Sequence, residues 1–148
     1  MADFVFNNAL GKVAYYAGLP AANDALIVIP IETTGIEADG TLRDYDDLAA
    51  LLAAANNEQS TLGRKTVTSA TVTVDDTNNR SDSDIADQTW TATAGNPVSA
   101  VLVCYDPDTT AGTDSSIIPL TKHDCVFTPD GTDFTAQIAA SGFYRASG

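Results

Sequence analysis

The chain has 148 residues, 44% of them hydrophobic, enough for one domain with a substantial core. Its 20 acids against 7 bases leave a formal net charge of -13. That balance argues against nucleic-acid binding, which needs clustered Lys and Arg to meet phosphates, whereas only Arg64-Lys65 are adjacent here. No apolar run approaches the roughly 18 residues that cross a bilayer, and Ala25–Ile31 is interrupted by Pro30. Met1-Ala2-Asp3 lacks the basic start of a signal peptide, so the expectation is a chain made in a cytosol, with no membrane partner.

Seventeen of the acids are Asp, a residue of caps and turns, which points to many loops. An acidic surface keeps a protein soluble, and it also suits a basic partner surface. Cys104 and Cys125 lie in strand-like contexts, and both are expected as free thiols.

In chain order, Phe4 and Phe6 alternate in an extended stretch before a helix over Asn8–Ala17, capped by Asn7-Asn8 and stopped at Gly18. Residues 1–20 thus form an N-terminal segment with a short helix, whose phenylalanines either anchor it locally, the favoured reading, or dock it on a neighbour, with Phe4, Phe6, Tyr15 and Tyr16 as interaction candidates. For Tyr15 and Tyr16 a place in the core is an equal alternative. Residues 21–148 form a β-rich body in the same single domain. Ala25–Ile29 has the composition of a buried strand whose far end, at Pro30, lies at an edge or bulge. Thr41–Asn57 follows the helical period through Tyr45, Leu48, Leu52 and Ala55, with Asp44, Asp46 and Asp47 at the positive end of its dipole.

Strands are then predicted over Lys65–Asp75, Arg80–Ala94 and Pro97–Tyr105, with turns at Asp76–Asn79 and Gly95–Pro97. Trp90 stands in the second strand, among alternating threonines. Asp106–Ser116 is a polar loop. Ile117–Thr121, His123–Thr128, Asp133–Ala139 and Phe143–Ala146 are short strands, with a tight turn at Pro129-Asp130-Gly131. The fold class is mainly β within α+β: an antiparallel sandwich or barrel with two short helices near the N-terminal half.

Chemistry is sparse along this pattern. Asp75, Asp76, Asp82 and Asp84 have the oxygen density of calcium ligands, and Asp75 and Asp84 are placed to face each other across a hairpin. The Gly and Glu of an EF-hand loop are missing, and a solvent-facing hairpin tip is the simpler account. His123 stands between Lys122 and Asp124, which favours a local charge pair over a catalytic base. No G-x-S-x-G, P-loop or paired Cys-x-x-Cys spacing is present, so neither an enzyme nor a cofactor is expected. A glycan-binding alternative uses Trp90, Tyr105 or Tyr144 as a stacking platform.

The segments Asn7–Ala17, Leu42–Leu48, Gly63–Val67, Val72–Asn78 and Val101–Asp106 resemble a group of small virion proteins of tailed bacteriophages. In that group a helical N-terminal part precedes a β-rich body with an Arg-Lys-x-Val strand, here Arg64-Lys65-Thr66-Val67, and a later Trp strand. The resemblance implies a structural role on the particle, as a capsid decoration (cement) protein or a minor tail protein. It also implies the major capsid protein or other virion proteins as partners, a homo-oligomeric state, and a place on the virion after assembly in the host cytoplasm. It brings no catalytic residues with it.

Overall fold

A computed structural model describes residues Met1–Gly148. In order the chain forms β1 (Phe4–Val5), α1 (Val13–Ala17), β2 (Ala25–Glu32), α2 (Asp39–Leu42), α3 (Leu48–Ala53), β3 (Lys65–Val67), β4 (Thr71–Asp75), β5 (Arg80–Asp84), β6 (Gln88–Trp90), β7 (Val98–Asp106), β8 (Ile118–Phe127), β9 (Phe134–Ala136) and β10 (Tyr144–Ser147). Short 3-10 turns occupy Asn7–Ala9 and Asp114–Ser116. The fold is mainly β with three short helices, and every strand pairing is antiparallel.

The main sheet has the order β1-β8-β7-β2-β3. All nine residues of β7 are buried, as are the first seven of β2, which is why both read as unbroken apolar runs without period-two alternation. Val28 lies opposite Val103, and Val101 opposite His123, so these side chains share one face. Two smaller sheets, β10-β5-β4 and β6-β9, form the second layer. Ile85, Phe134 and Phe143 from this layer border the same cleft as those main-sheet residues. The opposite face carries Lys122, whose ammonium lies 3.3 Å from Asp39 of α2. The helical elements α2 and α3 therefore lie on that side, tied down by the backbone bond from Leu48 N–H to the Ile117 carbonyl.

Pro30 sits inside β2, opposite Val101, next to a register shift between Ile31 and Glu32. Its carbonyl accepts from Gln59 N–H, on the side of the strand away from β7. The N and C=O of one strand residue point the same way. The missing donor of Pro30 therefore faces the side where β3, whose last partner is Val28, has already ended. The expected edge placement holds locally.

Several predicted boundaries need correction. Lys65–Asp75 is two strands, because the chain leaves the main sheet at Thr68–Ala70 and enters the second layer as β4. Arg80–Ala94 is likewise split, into β5 and β6, where Ile85 turns inward to 4% exposure. Ile117–Thr121 and His123–Thr128 are one strand, β8, running through a fully buried Lys122. Thr41–Asn57 breaks into α2 and α3, since Asp47 is extended and caps α3 by accepting from Ala50 N–H at 2.8 Å. Asn8–Ala17 is shortened to α1, with Gly11 at φ 72 separating it from the preceding 3-10 turn.

The N-terminal segment packs on its own body. Asn7 N–H donates to the Arg43 carbonyl, and the Asn8 amide donates to the Asp46 carbonyl at 2.8 Å. Further along, Arg64 lies between Glu58 (2.7 Å) and Asp114 (2.6 Å), pinning the entry to β3 against the second 3-10 turn. This guanidinium holds the Asp114 carboxyl below its ordinary 3.8, although partial burial pushes the other way. A depressed carboxyl contributes stability that is fully present above the ordinary value and is lost as pH falls through the lower, folded one.

Two expectations follow from this packing. Trp90 is 2% exposed, donates Nε1–H to the Gly63 carbonyl at 3.0 Å and stacks near Phe134, so Trp90→Ala lowers unfolding free energy in denaturant melts by about 3–5 kcal/mol. Arg64→Gln costs about 1–2 kcal/mol at neutral pH. Its deficit against the wild type, followed by thermal melts, narrows as pH is taken from about 5 to about 2; a constant deficit contradicts the Asp114 pairing.

Candidate assembly surface

The four aromatic interaction candidates do not share one environment. Phe6 is 0% exposed and belongs to the core, so it is withdrawn as a contact residue. Phe4 is half-buried, edge-on to Phe6 at 5.2 Å, with the Arg43 guanidinium 5.0 Å above its ring. Tyr16 is half-buried against Tyr105, ring centroids 5.3 Å apart. Tyr105 donates its hydroxyl to Asp24 at 2.7 Å, and burial together with that carboxylate pushes it up to about 12. Tyr15 alone is open, at 64% exposure. A continuous glycan platform is not formed by the other aromatics either, because Trp90 and Tyr105 are both buried.

The acidic hairpin is organised by arginines. The register sets Asp75 opposite Arg80 and Asp84 opposite Thr71, so Asp75 and Asp84 do not face each other, as the sequence pattern suggested. Asp75 accepts from the Asn78 amide and the backbone N–H groups of Thr77 and Asn78, and these bonds, with Arg80 at 3.2 Å, hold its carboxyl below the ordinary range. Asp82 forms a two-pronged pair with Arg145, at 2.6 and 2.9 Å. Asp76 is exposed on the turn between the strands. The carboxylate oxygens of Asp75 and Asp82 thus already have donors, and the four aspartates do not converge on a common centre, which leaves calcium without a geometric basis.

His123 bridges two side chains: Nδ1 lies 3.2 Å from Asp3, and Nε2 lies 2.9 Å from the Thr121 hydroxyl. The connectivity is that of a hydroxyl, an imidazole and a carboxylate. However, Thr121 is 2% exposed and paired with Val5 of β1, so no acyl substrate reaches its oxygen. Asp3 also accepts from Asp124 N–H at 2.8 Å, while Lys122 meets Asp39, Asp124 and the Ala2 carbonyl. Together these groups fasten a two-residue strand to the sheet edge, a task for which two ladder pairs alone are weak. Sequence reading paired His123 with its chain neighbours; the partners it found lie more than a hundred positions away or two residues along the strand.

Both cysteines are free thiols. Cys104 is fully buried and Cys125 is half-buried in the wall of a cleft of about 430 Å³ between the layers. Burial raises the thiol pKa of each.

The outer edge of β4 is unpaired along its whole length. In the order β10-β5-β4 this strand has a neighbour on one side only. The other terminal strands are shorter: β1 has two residues, β3 three and β10 four, against five for β4. β3 carries Lys65 and β10 carries Arg145, charges that discourage strand addition. β4 reads Thr-Val-Thr-Val-Asp, with no Lys, Pro or Gly. Val72 is 37% and Val74 68% exposed, and α1, which bears Tyr15, packs beside them with Gly18 against Val72. This is a preformed template for a further strand, with an apolar face beside it. The sequence contained the signal, since an alternating β-branched segment without a gatekeeper charge can be recognised there. Edge position could not be, because it depends on which strands pair.

No protein-family model matches the chain, and no curated protein or solved structure matches it either. No helix is long and apolar enough to cross a membrane. The chain is a mainly β, sandwich-like α+β domain. For the thiols, a maleimide reagent modifies Cys125 before Cys104, and Cys104 becomes reactive only on unfolding; equal rates in mass-spectrometric mapping contradict the assigned burial.

Proposed function

We propose that this chain is a structural subunit of a bacteriophage virion, a decoration protein that binds the capsid exterior and strengthens it. The observation that carries this reading is the open β4 edge with Tyr15, Val72 and Val74 exposed beside it. A sheet edge recognises a neighbour through main-chain hydrogen bonds, which suits a protein whose work is to be built into a larger array. The resemblance of the Asn7–Ala17, Gly63–Val67 and Val101–Asp106 segments to small virion proteins supports the same reading. So does the charge of -13, which favours basic patches on a partner such as the major capsid protein and restrains indiscriminate clumping.

The reading assigns the chain no turnover and no cofactor. Many weak, symmetric contacts on a shell offset the small area of each one, because a copy held at one contact meets the next at high effective concentration. Quantitative mass spectrometry of separated heads and tails of the phage particle tests this directly. Recovery with heads, in numbers comparable to the major capsid protein, is the expected result. A few copies confined to tails shifts the assignment to a minor tail component, and absence from purified particles refutes both.

A further inference from the structure

We infer that β4 pairs edge to edge with β4 of a second copy of this chain, in antiparallel register about a two-fold axis at Thr73. The inference rests on reading the β4 edge as an assembly surface, and it names the occupant. The strand is its own complement. Centred on Thr73, all five residues pair: Thr73 with itself, Val72 with Val74 of the second copy, and Thr71 with Asp75 of the second copy. Residues opposite each other share a face, so the four valines form one apolar strip on the side where α1 rests against Val72. The joined second layers become a single six-stranded sheet, and the exposed β4 edge of each copy is covered.

Charge and the number of pairs together select this register: moving the axis either way loses residue pairs, and moving it toward Asp75 also brings like charges together. Asp75 is the strand's only charged residue and already pairs with Arg80 at 3.2 Å in its own chain. In the Thr73-centred register the two Asp75 carboxylates lie four residues apart along the axis, about 13 Å, beyond the roughly 8 Å screening length of physiological salt. Sliding the axis toward Asp75 brings them together and leaves Thr71 unpaired. Two molecules of charge -13 repel at long range, so added salt strengthens this association. A basic extended segment of another protein at the same edge shows the opposite salt dependence. Five residue pairs make a small interface, so the association is weak and reversible.

Sedimentation equilibrium of the purified full-length chain over a concentration series, at low and moderate salt, provides the test. The wild type is expected to pass from monomer to dimer, with tighter association in moderate salt. Val72→Lys and Val74→Asp alter exposed positions and should leave the melting temperature nearly unchanged. Each alone weakens the dimer at least tenfold. The double variant Val72→Lys/Val74→Asp sets two opposite-charge pairs across the axis and restores association to within about threefold of the wild type. Restoration is specific to the Thr73-centred register. A chain that remains monomeric throughout, a dimer indifferent to the single variants, or a double variant as weak as the singles overturns the inference. The two proposals fail separately: a strict monomer recovered from virion heads refutes self-pairing alone, whereas a β4-dependent dimer missing from particles refutes the virion role alone.

Discussion

The pairing of β2 with β7 and of β7 with β8 is the constraint on which the other elements depend. β7 is buried along its whole length, so both faces of the sheet must be covered before its valines, leucine and cysteine leave water. The chain covers one face with segments drawn from its N-terminal third. It covers the other with two small sheets and α1. Neither cover is large enough to stand alone: the β6-β9 pair has three residues per strand and α1 has five residues. Their order comes from the apolar surface they close over, with Trp90 and Phe134 as the bulkiest contacts between the β6-β9 pair and that core.

The acidic composition has a structural use that is local. Asp47 caps a helix, Asp75, Asp108 and Asp130 close turns by accepting backbone N–H bonds, and Asp24 fixes the hydroxyl of a buried tyrosine. Five of the seven bases are engaged by acids: Arg64, Arg80, Lys122 and Arg145 directly through carboxylates, and Arg43 through the backbone of Asp39. The remaining acids create a negative exterior, which keeps copies apart except where geometry offers strong short-range complementarity. The N-terminal clasp shows the same economy, since Asp3, Lys122 and His123 hold a strand too short to hold itself.

An edge strand left unguarded invites pairing with another chain, and most proteins blunt such edges. Here the contrast lies within one molecule. The edges at β1, β3 and β10 are short or bear a base, while β4 is long, β-branched and bare of positive charge. The proposed assembly role draws on this difference, and it asks nothing of the interior cleft or of the buried Thr121 hydroxyl.

What the sequence determined by itself was the material of the sheet and its turns. β7 was readable to within a residue at each end, because a run from Val98 to Tyr105 bounded by Pro97 and Asp106-Pro107 has few alternatives. β2, the free cysteines and the mainly β class were legible for the same reason: strong local composition with clear punctuation. Tertiary structure decided where strands change sheets and what meets across them. Nothing local distinguishes Lys65–Asp75 as one strand from β3 and β4 as two, since the break at Thr68–Ala70 exists only because the layers lie on opposite sides of it. Lys122 looked like a strand terminator and is a buried member of β8, made tolerable by Asp39 from the other end of the chain. The register that parts Asp75 from Asp84, and the position of β4 at an edge, follow from pairing alone, and pairing is a long-range energy that no short window of sequence contains.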